Sequence, residues 1–79
     1  MSRNIQTTYY RRKALVKTNI AVDPNRAVLH AVNHLQHNQY EATHCEVFDN
    51  ASGVLHAVLQ RKMNGDIAVL FRREVQYEY

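Results

Sequence analysis

Hydrophobic and polar residues alternate along residues 8–22 in the way that a β-strand requires. From Ala14 onward the even positions are mostly apolar, whereas basic side chains stand at odd positions such as Lys13 and Lys17. Successive side chains of a strand point to opposite faces, so this alternation predicts one apolar face and one basic face. We therefore expect a single long strand at the start of the fold.

A helix is predicted next, over about residues 24–38. Asp23 can cap the free backbone N–H groups, and Pro24 at the first helical position loses no hydrogen bond. From Val28 to Leu35 the apolar residues recur at a spacing of three and four, which gives the helix one apolar face. This face is suited to packing against a sheet.

Three further strands are predicted at 41–48, 54–62 and 67–77, each with apolar residues at alternate positions. The element order is then β-α-β-β-β. The expected fold class is α+β, a four-stranded, mostly antiparallel sheet with one helix packed on one face. Residues 1–7 are expected to form a flexible N-terminal tail and residues 8–79 a single domain.

The last two strands are joined at Asn64-Gly65, a strong hairpin signal because both residues tolerate positive φ. A two-residue loop made of Asn64 and Gly65 would place Val58 opposite Phe71. A three-residue loop that also includes Asp66 would place Leu59 opposite Phe71 instead. We prefer the three-residue loop because it gathers the apolar residues of both strands on one face. The expected core is Val16, Ile20, Val28, Val32, Leu35, Cys45, Val47, Leu59, Val69 and Phe71.

Composition and charge narrow the class of protein. The chain has 79 residues, a net charge of +3 and one cysteine, so an internal disulfide and a cysteine-rich zinc module are both excluded. The longest apolar run, residues 67–71, is far shorter than the roughly 20 residues of a membrane-spanning helix. The N-terminus lacks the apolar stretch of a signal peptide, and we expect a cytoplasmic protein.

Candidate chemistry is sparse. No serine nucleophile elbow, glycine-rich phosphate loop or carboxylate pair is recognisable, so we predict neither an enzyme nor a cofactor. Cys45 is expected to be a buried, inert side chain. His30, His34 and His37 are four and three residues apart on the predicted helix and are the candidate metal ligands. A solvated polar helix face explains the same spacing, and we prefer it to a metal site.

Basic and aromatic residues on the strands are the main functional lead. Arginine and tyrosine are enriched where proteins bind one another. We expect a non-enzymatic protein that acts through protein–protein interaction, with nucleic-acid binding at the same basic sheet face as the alternative. The predicted partner-binding residues are Arg11, Lys13, Lys17, Arg72, Tyr9 and Tyr77. A homodimer without another ligand is the third hypothesis, with Val58 and Leu70 as its surface.

The β-α-β-β-β layout over residues 8–77 is similar to that of many small proteins of phages and mobile elements, including some anti-CRISPR inhibitors. The resemblance is one of size and element order. It implies stoichiometric binding without catalysis, and we expect a protein that occludes or bridges a protein partner, such as a phage or mobile-element inhibitor.

Overall fold

Five antiparallel strands and one helix make up the fold in the computed structural model, which describes residues 4–38 and 40–73. The elements are β1 (Ile5–Arg11), β2 (Ala14–Ala21), α1 (Pro24–Gln36), β3 (His44–Asp49), β4 (Leu55–Arg61) and β5 (Ile67–Arg72). The strand order is β2-β1-β3-β4-β5, so β2 and β5 are the edges. The α+β class is confirmed, but the sheet has five strands and not the four predicted.

The extra strand arises because the predicted single strand over 8–22 is a hairpin. The chain reverses at Arg12, whose φ is 59°, and β1 pairs with β2 from Ile5 opposite Ala21 to Arg11 opposite Ala14. The predicted tail over 1–7 is also wrong for residues 5–7, since they belong to β1 and Ile5 is fully buried. Residues 1–3 lie outside the described residues.

The helix begins and ends close to the predicted positions. The Asp23 carboxylate accepts a hydrogen bond from the Asn25 N–H group at 3.2 Å, and Pro24 opens the first turn. Ala27, Ala31 and Leu35 form the buried face. In the described residues no helix has both the length and the apolar character needed to cross a membrane.

The core lies between α1 and the central strands. Its buried residues are Ile5, Tyr9, Ala27, Val28, Ala31, Leu35, Ala42, Cys45, Val47, Ala57 and Leu59, with Val32 partly buried against them. Four residues of the predicted core, Val16, Ile20, Val69 and Phe71, are exposed. They belong to the edge strands β2 and β5, and a single helix does not cover both edges of a five-stranded sheet.

The β4–β5 hairpin has neither of the loops considered from the sequence. The Lys62 N–H group donates to the Asp66 carbonyl at 2.8 Å, so the loop is residues 63–65, with Gly65 at φ 92°. Leu59 consequently lies opposite Val69, and the preferred pairing of Leu59 with Phe71 is wrong. The loop ends on the residue that adopts the left-handed conformation at no steric cost.

A bulge then shifts the pairing of β4 and β5. After Leu59 the register moves by one, and Val58 lies opposite Phe71. Directly opposed residues of an antiparallel pair share a face, and the neighbours of Val58, Ala57 and Leu59, are buried under α1. The bulge therefore places Phe71 on the sheet face away from the helix.

Candidate functional site

A cleft of about 540 Å³ lies at one end of the sheet, where three connections meet. These are the β1–β2 turn, the loop between α1 and β3, and the β4–β5 hairpin. The lining residues are Arg11, Arg12, Asn38, Glu41, Ala42, Thr43, Arg61, Lys62 and Met63. Because four of them are basic and only Glu41 is acidic, we call this site the basic cleft.

Thr43 holds two of the basic residues in place through the backbone. Its side-chain oxygen accepts a hydrogen bond from the Arg12 N–H group at 2.9 Å, and its carbonyl accepts one from the Arg61 N–H group at 2.8 Å. The Thr43 N–H group in turn donates to the Tyr10 carbonyl at 2.7 Å. One exposed residue of the cleft lining thus links the β1–β2 hairpin to β4.

Arg11 and Glu41 form an ion pair across the cleft. The Arg11 Nη2 to Glu41 Oε2 distance is 2.9 Å, and the guanidinium also donates to the Tyr40 carbonyl at 3.3 Å. The two side chains are 50% and 68% exposed, a setting in which an ion pair contributes about 0–1 kcal/mol. A ligand carboxylate can therefore replace Glu41 at small cost.

The other three cations have no anionic partner in the described part of the chain. Arg12 and Lys62 are exposed. The Nε atom of Arg61 is buried and makes no hydrogen bond to any described residue. A buried donor without a partner costs about 1–3 kcal/mol, so an anionic acceptor that reaches Arg61 would remove a penalty.

The backbone of the cleft is strained. Arg12, Asn38 and Glu41 have φ values of 59°, 51° and 53°, and they are the non-glycine residues with positive φ in the described chain. All three line the basic cleft. Asn adopts this conformation readily, whereas Arg and Glu do so at a cost of roughly 1–3 kcal/mol each, and such strain concentrates at binding and catalytic sites.

The four basic residues predicted to form one binding surface are spread over the sheet, although the register places Arg11, Lys17 and Arg72 all on its helix side. Arg11 lines the cleft, and Lys13 lies in the adjacent β1–β2 turn. Lys17 lies opposite Tyr9, on the helix side of β2, and its ammonium is 6.0 Å from the centre of the Tyr40 ring. Arg72 is on β5, at the other edge of the sheet. The four residues do not form one surface, because β2 and β5 are opposite edges of the five-stranded sheet.

Tyr9 cannot serve as the predicted stacking residue. It is 1% exposed, its hydroxyl is 2.9 Å from His34 Nδ1, and its ring centre is 5.0 Å from that of Tyr40. Burial raises the pKa of Tyr9. In the tautomer of His34 with its hydrogen on Nε2, the Tyr9 hydroxyl donates this hydrogen bond. Tyr77, the other predicted aromatic contact, lies outside the described residues.

The three helix histidines have different surroundings. His34 packs on Tyr9 and is half-buried, so its expected place on a solvated face was wrong. His30 is 6.5 Å from His34 between ring centres, and His37 Nδ1 lies 2.8 Å from the Asn33 carbonyl. Over residues 4–38 and 40–73, no three His, Cys, Asp or Glu side chains are grouped to hold a metal ion.

Val58 and Leu70, predicted together as a dimer surface, are not opposed across the β4–β5 pair. Val58 faces away from α1 opposite Phe71, and Leu70 is the unpaired residue of the bulge in the edge strand. Leu70 is exposed. The surface that contains Val58 is larger than predicted and extends across the whole sheet.

Sequence reasoning missed Arg12, Arg61 and Lys62 as members of one site. Their signal was present as two short basic runs, residues 11–13 and 61–62, each beside a turn. No family model, curated protein or solved structure matches the chain. The functional assignment therefore depends on the geometry of the site.

Proposed function

We propose that the protein is a non-enzymatic binding protein that captures an acidic segment of a protein partner in the basic cleft. The observation that carries the proposal is the convergence of four cations with a single carboxylate on one cavity. Arginine presents a planar set of donors that matches a carboxylate in a bidentate way. Arg11 and Arg12 supply such donors from the end of β1 and the turn that follows it, and Arg61 supplies them from β4.

A protein partner suits the lining better than nucleic acid does. None of the lining residues is aromatic, and binding of unpaired bases depends on stacking against aromatic rings. Met63 stands fully exposed beside the cations. Methionine and arginine are enriched at protein interfaces, whereas phosphate binding needs only the positive charge. Nucleic-acid binding by the same cations is the alternative.

Binding at the cleft involves an exchange of partners. The incoming carboxylate takes the place of Glu41 on Arg11, and neighbouring acidic groups pair with Arg12 and Lys62. The protein then acts by occupying a partner's acidic surface in a stoichiometric complex. An inhibitor role of the kind found in phages and mobile elements stays a prediction, and the hairpin of β1 and β2 changes the element order on which that resemblance was based.

The two side chains of the core region that could react, Cys45 and His34, have no catalytic role in this function. Burial raises the pKa of Cys45 to about 12, which keeps this thiol protonated at neutral pH. The imidazole of His34 is occupied by Tyr9 and lies away from the residues that line the cleft. Within residues 4–38 and 40–73, neither group is paired with a second residue in the manner of a nucleophile and its base.

The test is binding of a short fluorescein-labelled peptide of glutamate and serine, followed by fluorescence anisotropy at low salt. Arg12→Glu and Lys62→Glu should each weaken binding about tenfold or more, because each removes a charge-assisted contact and adds repulsion. Arg26→Glu makes the same change in net charge on the exposed surface of α1, away from the cleft, and should leave binding close to wild type.

Equal weakening by Arg26→Glu would show general charge attraction and overturn the cleft as the site. A single-stranded oligonucleotide of the same charge serves as the competing probe. If it binds more tightly than the peptide and loses affinity through the same two cleft substitutions, the nucleic-acid alternative is correct and the protein-partner proposal is wrong.

A further inference from the structure

No element of the described residues covers the sheet face away from α1. The pairing register places one set of strand residues on this face: Leu15, Thr18, Ile20, Gln6, Thr8, Tyr10, His44, Glu46, Phe48, Leu55, Val58, Gln60, Ala68 and Phe71. We call it the open face. It shares no residue with the basic cleft, so an inference about it is independent of the proposed function.

The open face is apolar at its margins. Ile20 is 62% exposed and Leu15 is 58% exposed on β2, and Phe71 is exposed on β5. Phe48 and Val58 lie between these edges and are half-buried. Exposed apolar surface that extends over several strands is unusual in a monomer and is typical of an interface.

The centre of the open face carries one carboxylate and one imidazole side chain. Glu46 and His44 are two residues apart on β3, the middle strand, and so point to the same side. The face contains no lysine or aspartate, and its one arginine is at the β5 margin, where the Arg73 guanidinium lies 6.0 Å from the centre of the Phe71 ring and donates to the Leu55 carbonyl at 3.0 Å. The centre of the face is thus left to Glu46 and His44, and the Arg73 charge lies at its β5 margin.

Glu46 lacks a partner within its own chain as far as the structure describes it. No hydrogen bond or ion pair joins its carboxylate to residues 4–38 or 40–73. The side chains directly opposite are Val58 on β4 and Thr8 on β1. Thr8 is almost fully buried, and its hydroxyl makes no hydrogen bond to a described residue. His44 stacks on Tyr10, with ring centres 4.8 Å apart and planes at 10°.

We propose that the open face packs against the open face of a second copy, about a two-fold axis that passes between His44 and Glu46. In a two-fold interface, if residue i of one copy contacts residue j of the other, then j also contacts i. The axis therefore creates two reciprocal pairs of His44 with Glu46. The apolar margins close around them, and the dimer is a sandwich of two sheets with a helix on each outer side.

The size of the face sets the strength of this dimer. Five strands spaced at ~4.8 Å, each ~20 Å long, give a footprint of ~480 Å² per copy. A standard interface buries about 800 Å² on each partner. A footprint below the standard size is typical of a weak, reversible dimer whose formation depends on protein concentration.

Two single variants and their mixture test the reciprocal pairing. His44→Glu alone places two carboxylates in each pair, and Glu46→Lys alone places an ammonium against His44. Sedimentation velocity over a range of concentrations should show each variant at least about tenfold weaker in dimerisation than wild type. Gln36→Lys adds a charge on the exposed side of α1 and should dimerise like wild type.

The equimolar mixture of the two variants is the decisive sample. There the carboxylate introduced at position 44 faces the ammonium introduced at position 46, and the native His44 faces the native Glu46. A heterodimer with at least the wild-type affinity is expected. A mixture that stays monomeric while wild type dimerises would overturn the proposed axis, and a wild-type protein that stays monomeric at millimolar concentration would overturn the dimer.

Circular dichroism establishes that each variant is folded before it is compared. If either central variant does not fold, Ile20→Lys takes its place. Ile20 is largely exposed at the margin of the open face, so this change is compatible with the fold of the monomer. It should also weaken dimerisation about tenfold, and an unchanged Kd would contradict an interface on the open face.

Discussion

Replacement of Tyr9 by alanine removes the largest fully buried side chain of the core. A buried aromatic side chain takes about 150–250 Å² out of water, which at ~25 cal/mol per Å² amounts to roughly 4–6 kcal/mol as an upper estimate. Aromatic-to-alanine changes in cores cost about 3–5 kcal/mol. We expect a loss of that size for Tyr9→Ala, against a total of roughly 4–12 kcal/mol for a domain of this length.

Tyr9→Phe separates the contribution of the hydroxyl to stability from that of the ring. It keeps the packing against Tyr40 and removes the hydrogen bond to His34. The free energy of unfolding should fall by about 1 kcal/mol, and the melting temperature by about 4–8 °C. Tyr10→Phe is the matched control, because the Tyr10 hydroxyl has no hydrogen-bond partner in the described residues, and its stability should be unchanged.

The assay is urea unfolding followed by circular dichroism, at a protein concentration too low for self-association. The denaturant dependence should be the same for wild type and both phenylalanine variants, so that midpoints report stability. A change below about 0.5 kcal/mol for Tyr9→Ala is what a surface residue gives. That result would refute the burial of Tyr9 and the packing of α1 over β1.

Two further predictions concern titratable groups of the core. Burial, together with the nearby His30 and His37, lowers the pKa of His34 below its ordinary value, so the unfolded chain binds this proton more readily. The free energy of unfolding should therefore fall as the pH drops from about 7.5 to about 5.5, and His34→Gln should reduce this slope in urea titrations; an identical slope would contradict the assignment. Burial raises the pKa of Cys45 to about 12, so a thiol reagent should react with it only in denaturant, and rapid labelling of the folded protein would show that the site is open.

The helix is the element that local sequence predicts best. Asp23 and Pro24 act on backbone groups within the first turn, and the apolar spacing that follows depends only on the helical repeat. Strands β3, β4 and β5 were likewise found near their predicted positions, because alternation and turn residues are short-range signals. These features need no knowledge of what each element packs against.

The reversal at Arg12 had no such signal. Residues 11–13 contain no glycine, proline or asparagine, and the left-handed backbone of Arg12 is held by a hydrogen bond from its N–H group to the distant Thr43. The alternation of side chains continues on both sides of the turn, so the sequence reads as one strand. Burial of Ile5 follows from this hairpin, because β2 then covers the outer side of β1 and β1 lies between β2 and β3.

For the basic cleft, too, the sequence indicates some of the residues but not how they are brought together. The sequence supplied its cations as short runs, and it identified Arg11 and the neighbouring Lys13 as partner-binding candidates. Only the strand order brings Arg12 and Arg61 to one cleft. There the N–H groups of both residues donate hydrogen bonds to Thr43. Residues far apart in sequence meet only when the register of every intervening strand is fixed, and a single bulge changes that register.

The sequence by itself determined the helix, the alternating strands and the absence of a disulfide, since each depends on neighbouring residues or on composition. The tertiary structure decided which face of each strand is covered. Tyr9 and Tyr10 are adjacent aromatic residues of similar character, and only the position of α1 makes one a core residue and leaves the other on the open face. The reason is that one helix can remove from water only the sheet face on which it lies.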